Sequence, residues 1–292
     1  MSGYVVAGAT GRVGSVAAEV LLQRHVATSV IVRDPSKAEA WARRGATPVV
    51  GSLADTAFLT RTLRGASGFL ALLPENVAPD DFSPARRRMA DSIAASTRDA
   101  GVPHVVFLSA VAAVLPDRNG PAKDLHYAEN LLLRGRTTTT VLRAAYYQDN
   151  VASVLTPAVS QGVYPHFWSD VDAPVPMIAT KDVGRFAAQA LLDPPAHSQT
   201  VVLSGPAYSV RDVAARLGSA LGTRLELVGI PPAQHVAALT GAGVPLQLAE
   251  AAAELFDAFA KGLIAPTGDR TLVGTTTIDE VIADSLTRLR SV

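Results

Sequence analysis

The chain contains no cysteine. That absence excludes disulfides, thiolate metal sites and cysteine nucleophiles, and it fits a cytoplasmic protein, the location expected here. An excess of charge is missing as well: 26 Lys and Arg balance 26 Asp and Glu, for a formal net charge of zero. A neutral chain has no general attraction for nucleic acid or an anionic membrane, and neither is expected as a partner. Long apolar runs are also lacking. The longest, VVFLSAVAAVL at 105–115, falls well short of the roughly 20 residues that cross a bilayer. The opening stretch MSGYVVAGATG has neither the basic segment nor the cleavage site of a secretory leader, so none is predicted. No fixed-period repeat or low-complexity linker interrupts the 292 residues. What is present is a globular balance, 48% hydrophobic and 18% charged, enough for one large domain or a domain with a smaller lobe.

The first half alternates short β-branched runs with segments of helical periodicity. YVVAG (4–8), SVIVR (29–33), TPVVG (47–51), GFLALL (68–73), HVVFLS (104–109) and TTTVLR (138–143) read as strands. Near-continuous apolar strands separated by helices predict an α/β fold with a doubly wound parallel sheet covered on both faces. Ligands then bind at the carboxyl ends of the strands, where strand order reverses. After Arg143 the pattern changes. Asp182 is expected to cap the helix TKDVGRFAAQALLD, TVVLSG (200–205) reads as a further strand, and a helix is expected from Ser209 to about Leu221. From Pro231 the chain reads as mostly helical. Residues 1–150 are expected to form a nucleotide-binding core, and residues 151–292 the last core elements plus a smaller, mostly helical substrate lobe, with a soft boundary.

YVVAGATGRVGSVAAEVLL places Gly8, Gly11 and Gly14 between a strand and an amphipathic helix. Gly8 permits a tight turn, Gly11 lets backbone approach a pyrophosphate, and Gly14 allows close helix–strand packing. Thr10, Arg12 and Val13 complete the loop, and the helix start offers unpaired N–H groups to the anion. The end of the second strand carries Arg33 and not the carboxylate of an NAD site; Asp34 before Pro35 reads as a helix cap. Arg33, with Lys37 one turn on and Arg12 in the loop, suits a 2′-phosphate, so NADP(H) is the expected cofactor. The bland alternative is three solvated surface cations.

GATGRVG, VRDPSKA, AGVPHVVFLSA, HYAEN, TTVLRAAYYQDN and LSGPAYSVRDVAARL, in that order, resemble the NmrA-like group of atypical short-chain dehydrogenase/reductases. The likeness spans nearly the whole chain and is thin between about 231 and 275. The subgroup it most resembles is that of bacterial NADPH-dependent quinone oxidoreductases and triphenylmethane-dye reductases. The resemblance implies a Rossmann core, NADPH, and a substrate cleft between core and C-terminal lobe. It implies that Leu73 and Pro74 line the ribose and nicotinamide, that Ser109 stands where the wider superfamily often has a catalytic Ser or Thr, and that Tyr147 and Asn150 face the substrate. The same superfamily contains cofactor sensors without catalysis. Two departures stand out: Leu125 replaces a lysine found in some relatives, and Ser52 replaces an aspartate near the adenine.

Reductases of this superfamily usually pair a tyrosine with a lysine four residues later, yet Tyr127 is followed at that spacing by Leu131. Reducing a simple ketone makes an alkoxide and needs a tuned acid. Reducing a quinone makes a hydroquinone anion, far less basic, near the phenol pKa of about 10. A site with His126, Tyr147 and Asn150 but no Tyr–Lys pair therefore suits a quinone or another flat conjugated acceptor. His126 either touches the acceptor or caps local structure. Tyr127 is expected to point away, Glu129 to pair with Arg143, and the RRR run at 86–88 to form a solvated helix face; the aromatic residues of HFWSD (166–170) offer a cover for a flat ligand, with packing in the core or lobe the favoured role for Phe167 and Trp168. The expected activity is NADPH-dependent hydride transfer to a small-molecule conjugated acceptor. A non-catalytic NADP(H) sensor is the alternative, with an epimerase or dehydratase-like enzyme ranked below it. A homo-oligomer is compatible with the sequence. No metal is expected.

Overall fold

The computed structural model describes residues 3–74 and 82–290, so the first two residues of the opening stretch lie outside it. Six strands arise where the β-branched runs predict them: β1 (Tyr4–Val6), β2 (Thr28–Val32), β3 (Thr47–Val50), β4 (Gly68–Ala71), β5 (His104–Ala110) and β6 (Thr138–Ala144). Two later strands, β10 (Gln199–Ser204) and β13 (Arg270–Val273), complete a parallel sheet in the order β13-β10-β6-β5-β4-β1-β2-β3. Strand order reverses between β1 and β4, and the carboxyl ends of the central strands meet there. The sheet's edges are β3, which carries Pro48 where a missing donor costs nothing, and β13, which is mostly exposed.

Helices cover both faces. α1 (Arg12–Gln23), α2 (Ala38–Arg43) and α7 (Thr180–Leu192) bury Ala17, Leu21, Trp41, Val183, Ala187 and Leu191 against one face. α3 (Thr56–Leu63), α4 (Phe82–Ala100) and α5 (Ala122–Leu133) bury Leu59, Leu63, Ile93, Ala128 and Leu132 against the other. α1 and α7 touch almost backbone to backbone: a Cβ on Gly184 would lie 2.6 Å from the Val16 Cβ and 2.7 Å from the Val13 carbonyl oxygen.

The second half is less purely helical than its periodicity predicts. α6 (Leu155–Gln161), α8 (Val210–Leu221), α9 (His235–Gly241), α10 (Leu246–Ala260) and α11 (Ile278–Arg290) are joined by five short strands. β7 (Tyr146–Tyr147), β9 (Val175–Ile178) and β11 (Ala207–Tyr208) form one small sheet, and β8 (Val163–His166) pairs in parallel with β12 (Glu226–Gly229). These strands have two to four residues, and β8 and β9 each contain a proline, so alternation has no length in which to show. A lobe core of Val151, Leu155, Met177, Tyr208, Leu217 and Ile282 holds this region together.

Two local readings are corrected. Asp182 does not cap α7: the helix starts at Thr180, and Asp182, in the first turn, accepts from the Thr276 amide at 2.9 Å and pairs with Arg185 at 2.9 Å. The helix start is served instead by Asp149, which accepts from the Thr180 amide at 2.8 Å and its hydroxyl at 2.7 Å. Nor is the RRR run a solvated face throughout. Arg87 and Arg88 are exposed, but Arg86 is 1% exposed, 4.0 Å from the fully buried Asp124 and over the Phe82 ring. Its position falls on the apolar stripe with Phe82, Met89 and Ile93, and periodicity outweighs residue type when a buried acid offers a partner. Ser209, by contrast, caps α8 in a reciprocal pair with Asp212.

Candidate active site

A single cavity of about 980 Å3 runs from the glycine turn after β1 to α10. At its first end the chain leaves β1 through Gly8, whose φ of +66° belongs to glycine and where a Cβ would stand 2.5 Å from Leu72. The Gly11 amide closes the turn on the Gly8 carbonyl at 2.8 Å. A Cβ on Gly14 would overlap the Gly8 carbonyl and lie 2.8 Å from that of Ala7. Gly11 is the N-cap of α1 and no side chain caps it. Thr10, Gly11, Arg12, Val13 and Gly14 therefore present an uncapped helix start to the cavity, the chemistry that fits a pyrophosphate.

Arg33, exposed just past β2, lines the same cavity, with Gly51 and Ser52. Asp34 caps the next turn by accepting from the Ser36 amide at 2.9 Å, with Pro35 in first position. Lys37 is exposed and does not contribute to the lining. Arg12 reaches across the cavity, donating to the Asp149 carbonyl at 3.2 Å and standing 3.8 Å from its carboxylate. It ties the glycine turn to the start of α7.

The middle of the cavity is walled by Leu73 and Pro74 after β4 and by Ser109 on β5. The Ser109 hydroxyl donates to Glu129 at 2.5 Å, and Arg143 holds that carboxylate through contacts of 3.1 and 2.6 Å. Glu129 is buried, so this pair is internal, and the Ser109 proton is engaged within it. His126 stands off the cavity wall with Nδ1 2.7 Å from the Ala113 carbonyl, the position of a local cap. Tyr127 points away and donates to Asp91 at 2.7 Å, a bond that raises its pKa.

Aromatic rings close the far end. Tyr146 and Tyr147 leave β6 into β7, Tyr164 and His166 lie on β8, Phe167 and Trp168 follow, and Phe256 and Phe259 come from α10. Tyr146 meets Trp168 edge-on at 5.5 Å, Trp168 meets Phe259 at 5.5 Å, and Phe167 stacks on Phe256 at 4.9 Å. Phe167 and Trp168 thus pack in the lobe and line the cavity together. The His166 Nδ1 is 3.1 Å from the Trp168 carbonyl; burial lowers its basicity, and that carbonyl works against the shift. Burial raises the Tyr146 pKa, opposed by the Asn150 side chain at its hydroxyl, and burial with the neighbouring Tyr146 raises that of Tyr164.

The structure thus brings Gly8, Thr10, Gly11, Arg12, Val13, Gly14, Arg33, Leu73, Pro74, Ser109, Tyr147 and Asn150 to one cavity and leaves Lys37 and His126 outside its lining. Sequence reasoning missed Tyr146, Asp149, Tyr164, His166, Phe256 and Phe259. The α10 residues had a signal: Leu248, Ala252, Leu255, Phe256 and Phe259 form an apolar stripe at helical spacing. The rest come from short loops and strands with none.

The model of the NmrA-like family matches residues 2–291. NAD(P)H azoreductase of Xenophilus azovorans is 26% identical over 253 residues, 86% of this chain and 85% of that protein. Quinone oxidoreductase 2 of Escherichia coli (strain K12) is 26% identical over 252 residues, 85% of each. Among solved structures, Citrobacter sp. triphenylmethane reductase complexed with NADP(H) superposes with a TM-score of 0.80 at 22% identity, covering 97% of this chain and 99% of that one.

Proposed function

The chain belongs to the NmrA-like family, and from that premise we propose that it is an NADPH-preferring oxidoreductase that reduces a quinone or a similar flat, conjugated small molecule. The observation that carries this reading is the continuity of one cavity, from an uncapped helix start with a guanidinium at its rim to an aromatic enclosure without a Tyr–Lys pair. The relatives named for NAD(P)H azoreductase and quinone oxidoreductase activity support the coarse assignment.

When bound, the cofactor supplies hydride. The protein's part is to hold, orient and exclude water. The turn at Gly8, Gly11 and Gly14 admits the pyrophosphate, and Arg33 receives the 2′-phosphate through charge-assisted hydrogen bonds. Leu73, Pro74 and Ser109 wall the reacting region, while Tyr147 and Asn150 face the acceptor. Phe256, Phe259 and Trp168 enclose a flat ring and keep solvent out. A hydroquinone anion is a weak enough base to form without a tuned acid and to persist until it collects a proton from solvent, so the missing lysine is no obstacle.

The test is aerobic NADPH consumption with a panel of small quinones. Acceptor-dependent oxidation above the protein-free blank is expected; cofactor binding with no such oxidation would identify a sensor. Arg33→Ala is expected to weaken NADPH binding about ten- to a hundredfold, one or two charged hydrogen bonds, and to leave NADH nearly unaffected. Equal losses for the two nucleotides would remove the phosphate-reading role.

A further inference from the structure

We propose that the hydroxyl of Tyr146 is the hydrogen-bond donor that receives the acceptor's oxygen as negative charge develops on it, with Asn150 as its positioning residue. The inference rests on the oxidoreductase reading and deepens it.

Three polar groups of this region are committed elsewhere. Ser109 has committed its proton to Glu129. His126 is held by the Ala113 carbonyl, off the wall. Tyr127 donates to Asp91 on the outside of α5. Tyr146 differs from His126 and Tyr127 in lining the cavity and from Ser109 in that no carboxylate takes its proton, and its ring is fixed on two sides. Backbone pairing in β7 sets it opposite Met177, and Trp168 meets the ring edge-on at 5.5 Å. The Asn150 side chain, in the turn that follows, stands at the phenol hydroxyl and opposes the rise that burial imposes on its pKa. Asn150 is a neutral amide that can take the donor's part there, leaving the phenol's own proton for the acceptor. Burial keeps the phenol protonated, so it serves as a donor and not as a base.

The chemistry balances without any group beyond the proposed reaction. Hydride from the dihydronicotinamide gives the quinone two electrons and one hydrogen, forming one new bond to hydrogen and leaving the hydroquinone monoanion with oxidised cofactor. Tyr146 donates a hydrogen bond to that anion's oxygen and keeps its own proton. One proton from water completes the hydroquinone. In an apolar enclosure an anion without a donor is strongly disfavoured, and a preorganised donor aimed where charge appears acts mainly on the transition state.

The experiment compares wild type and Tyr146→Phe along a series of substituted 1,4-benzoquinones whose hydroquinones differ in pKa. The expected result is a ten- to hundredfold loss of kcat with the most basic hydroquinone, KM changing little, and a loss that shrinks as hydroquinone pKa falls. A merely structural role would lower turnover by one factor across the series, and that result, or no loss at all, would overturn the proposal. A second readout needs no turnover. 4-Nitrophenol, whose anion absorbs separately from the neutral form, is expected to bind wild type with its apparent pKa lower than in Tyr146→Phe; equal values overturn the proposal. Should Tyr146→Phe fail to fold, Asn150→Ala takes its place in both measurements, with the same direction and a smaller range. If wild type itself oxidises no NADPH with any quinone, the oxidoreductase reading fails first, and the nitrophenol titration still reports on the donor.

Discussion

The two ends of the cavity are built in opposite ways. At the glycine turn, the proposed nucleotide site is made of backbone: amides at the start of α1, a positive φ at Gly8, and room that a single Cβ on Gly14 would fill. All of it lies within seven consecutive residues. At the aromatic end, the proposed acceptor site is made of side chains gathered from β7, β8, the segment after β8, and α10, more than a hundred residues apart in the chain. A backbone site tolerates almost no substitution because atoms cannot step aside. A side-chain enclosure tolerates replacement ring by ring, and its selectivity shifts without loss of the fold.

That contrast sets the expected sizes of damage. Gly14→Ala has the largest: the added carbon meets two carbonyls, so a loss of about 3 kcal/mol in stability and of measurable nucleotide binding is expected. Urea unfolding and calorimetric titration check it, and near-normal nucleotide affinity would break the comparison at its strong end. Below it comes an effect on the sheet that both ends rest on. His104, buried at the start of β5 with Nε2 3.0 Å from the Thr140 hydroxyl, has its pKa lowered by burial from 6.5 to about 4. Its folded pKa lies below its unfolded one, so the unfolded chain binds more protons between the two values. Its contribution is present above about pH 6.5 and is lost as pH falls toward about 4, on the order of 2 kcal/mol. Urea midpoints at pH 7.5 and 5 measure this, and His104→Gln should narrow the difference between them. Smallest is Phe256→Ala, which removes a stacked ring from the enclosure. KM for a quinone is expected to rise about tenfold, as for partial loss of a buried aromatic contact, with NADPH affinity unchanged. A matching loss in NADPH binding would show that the two ends are not separable.

The same contrast explains what the sequence made legible. The glycine turn and Arg33 could be read because strand, turn and helix are local, and each glycine answers a local steric demand. Five of the first six sheet strands were readable for the same reason, being near-continuous runs of buried apolar residues, while β3 is the more exposed edge. β13 was missed: four residues, mostly exposed, carry no pattern of burial. Arg86 was misread because its buried acid, Asp124, lies on another helix. Asp149 was invisible as a helix cap for a similar reason, standing 31 residues before the amide it serves. Tyr146, Tyr164 and His166 depend on strands of two to four residues with no period of their own. The Glu129–Arg143 pair and the outward turn of Tyr127 were legible, the first from opposite charge and the second from helix geometry.

The bare spot at Gly184 has a further consequence. Because α7 lies against α1 with only hydrogen between their backbones there, α1 is braced like a beam along its flank. Its leading tip, which faces the cavity, inherits its aim from that brace. Any side chain at 184 would push the beam aside and swing the tip, so the proposed grip on a phosphate would be governed in part by a position that never meets one.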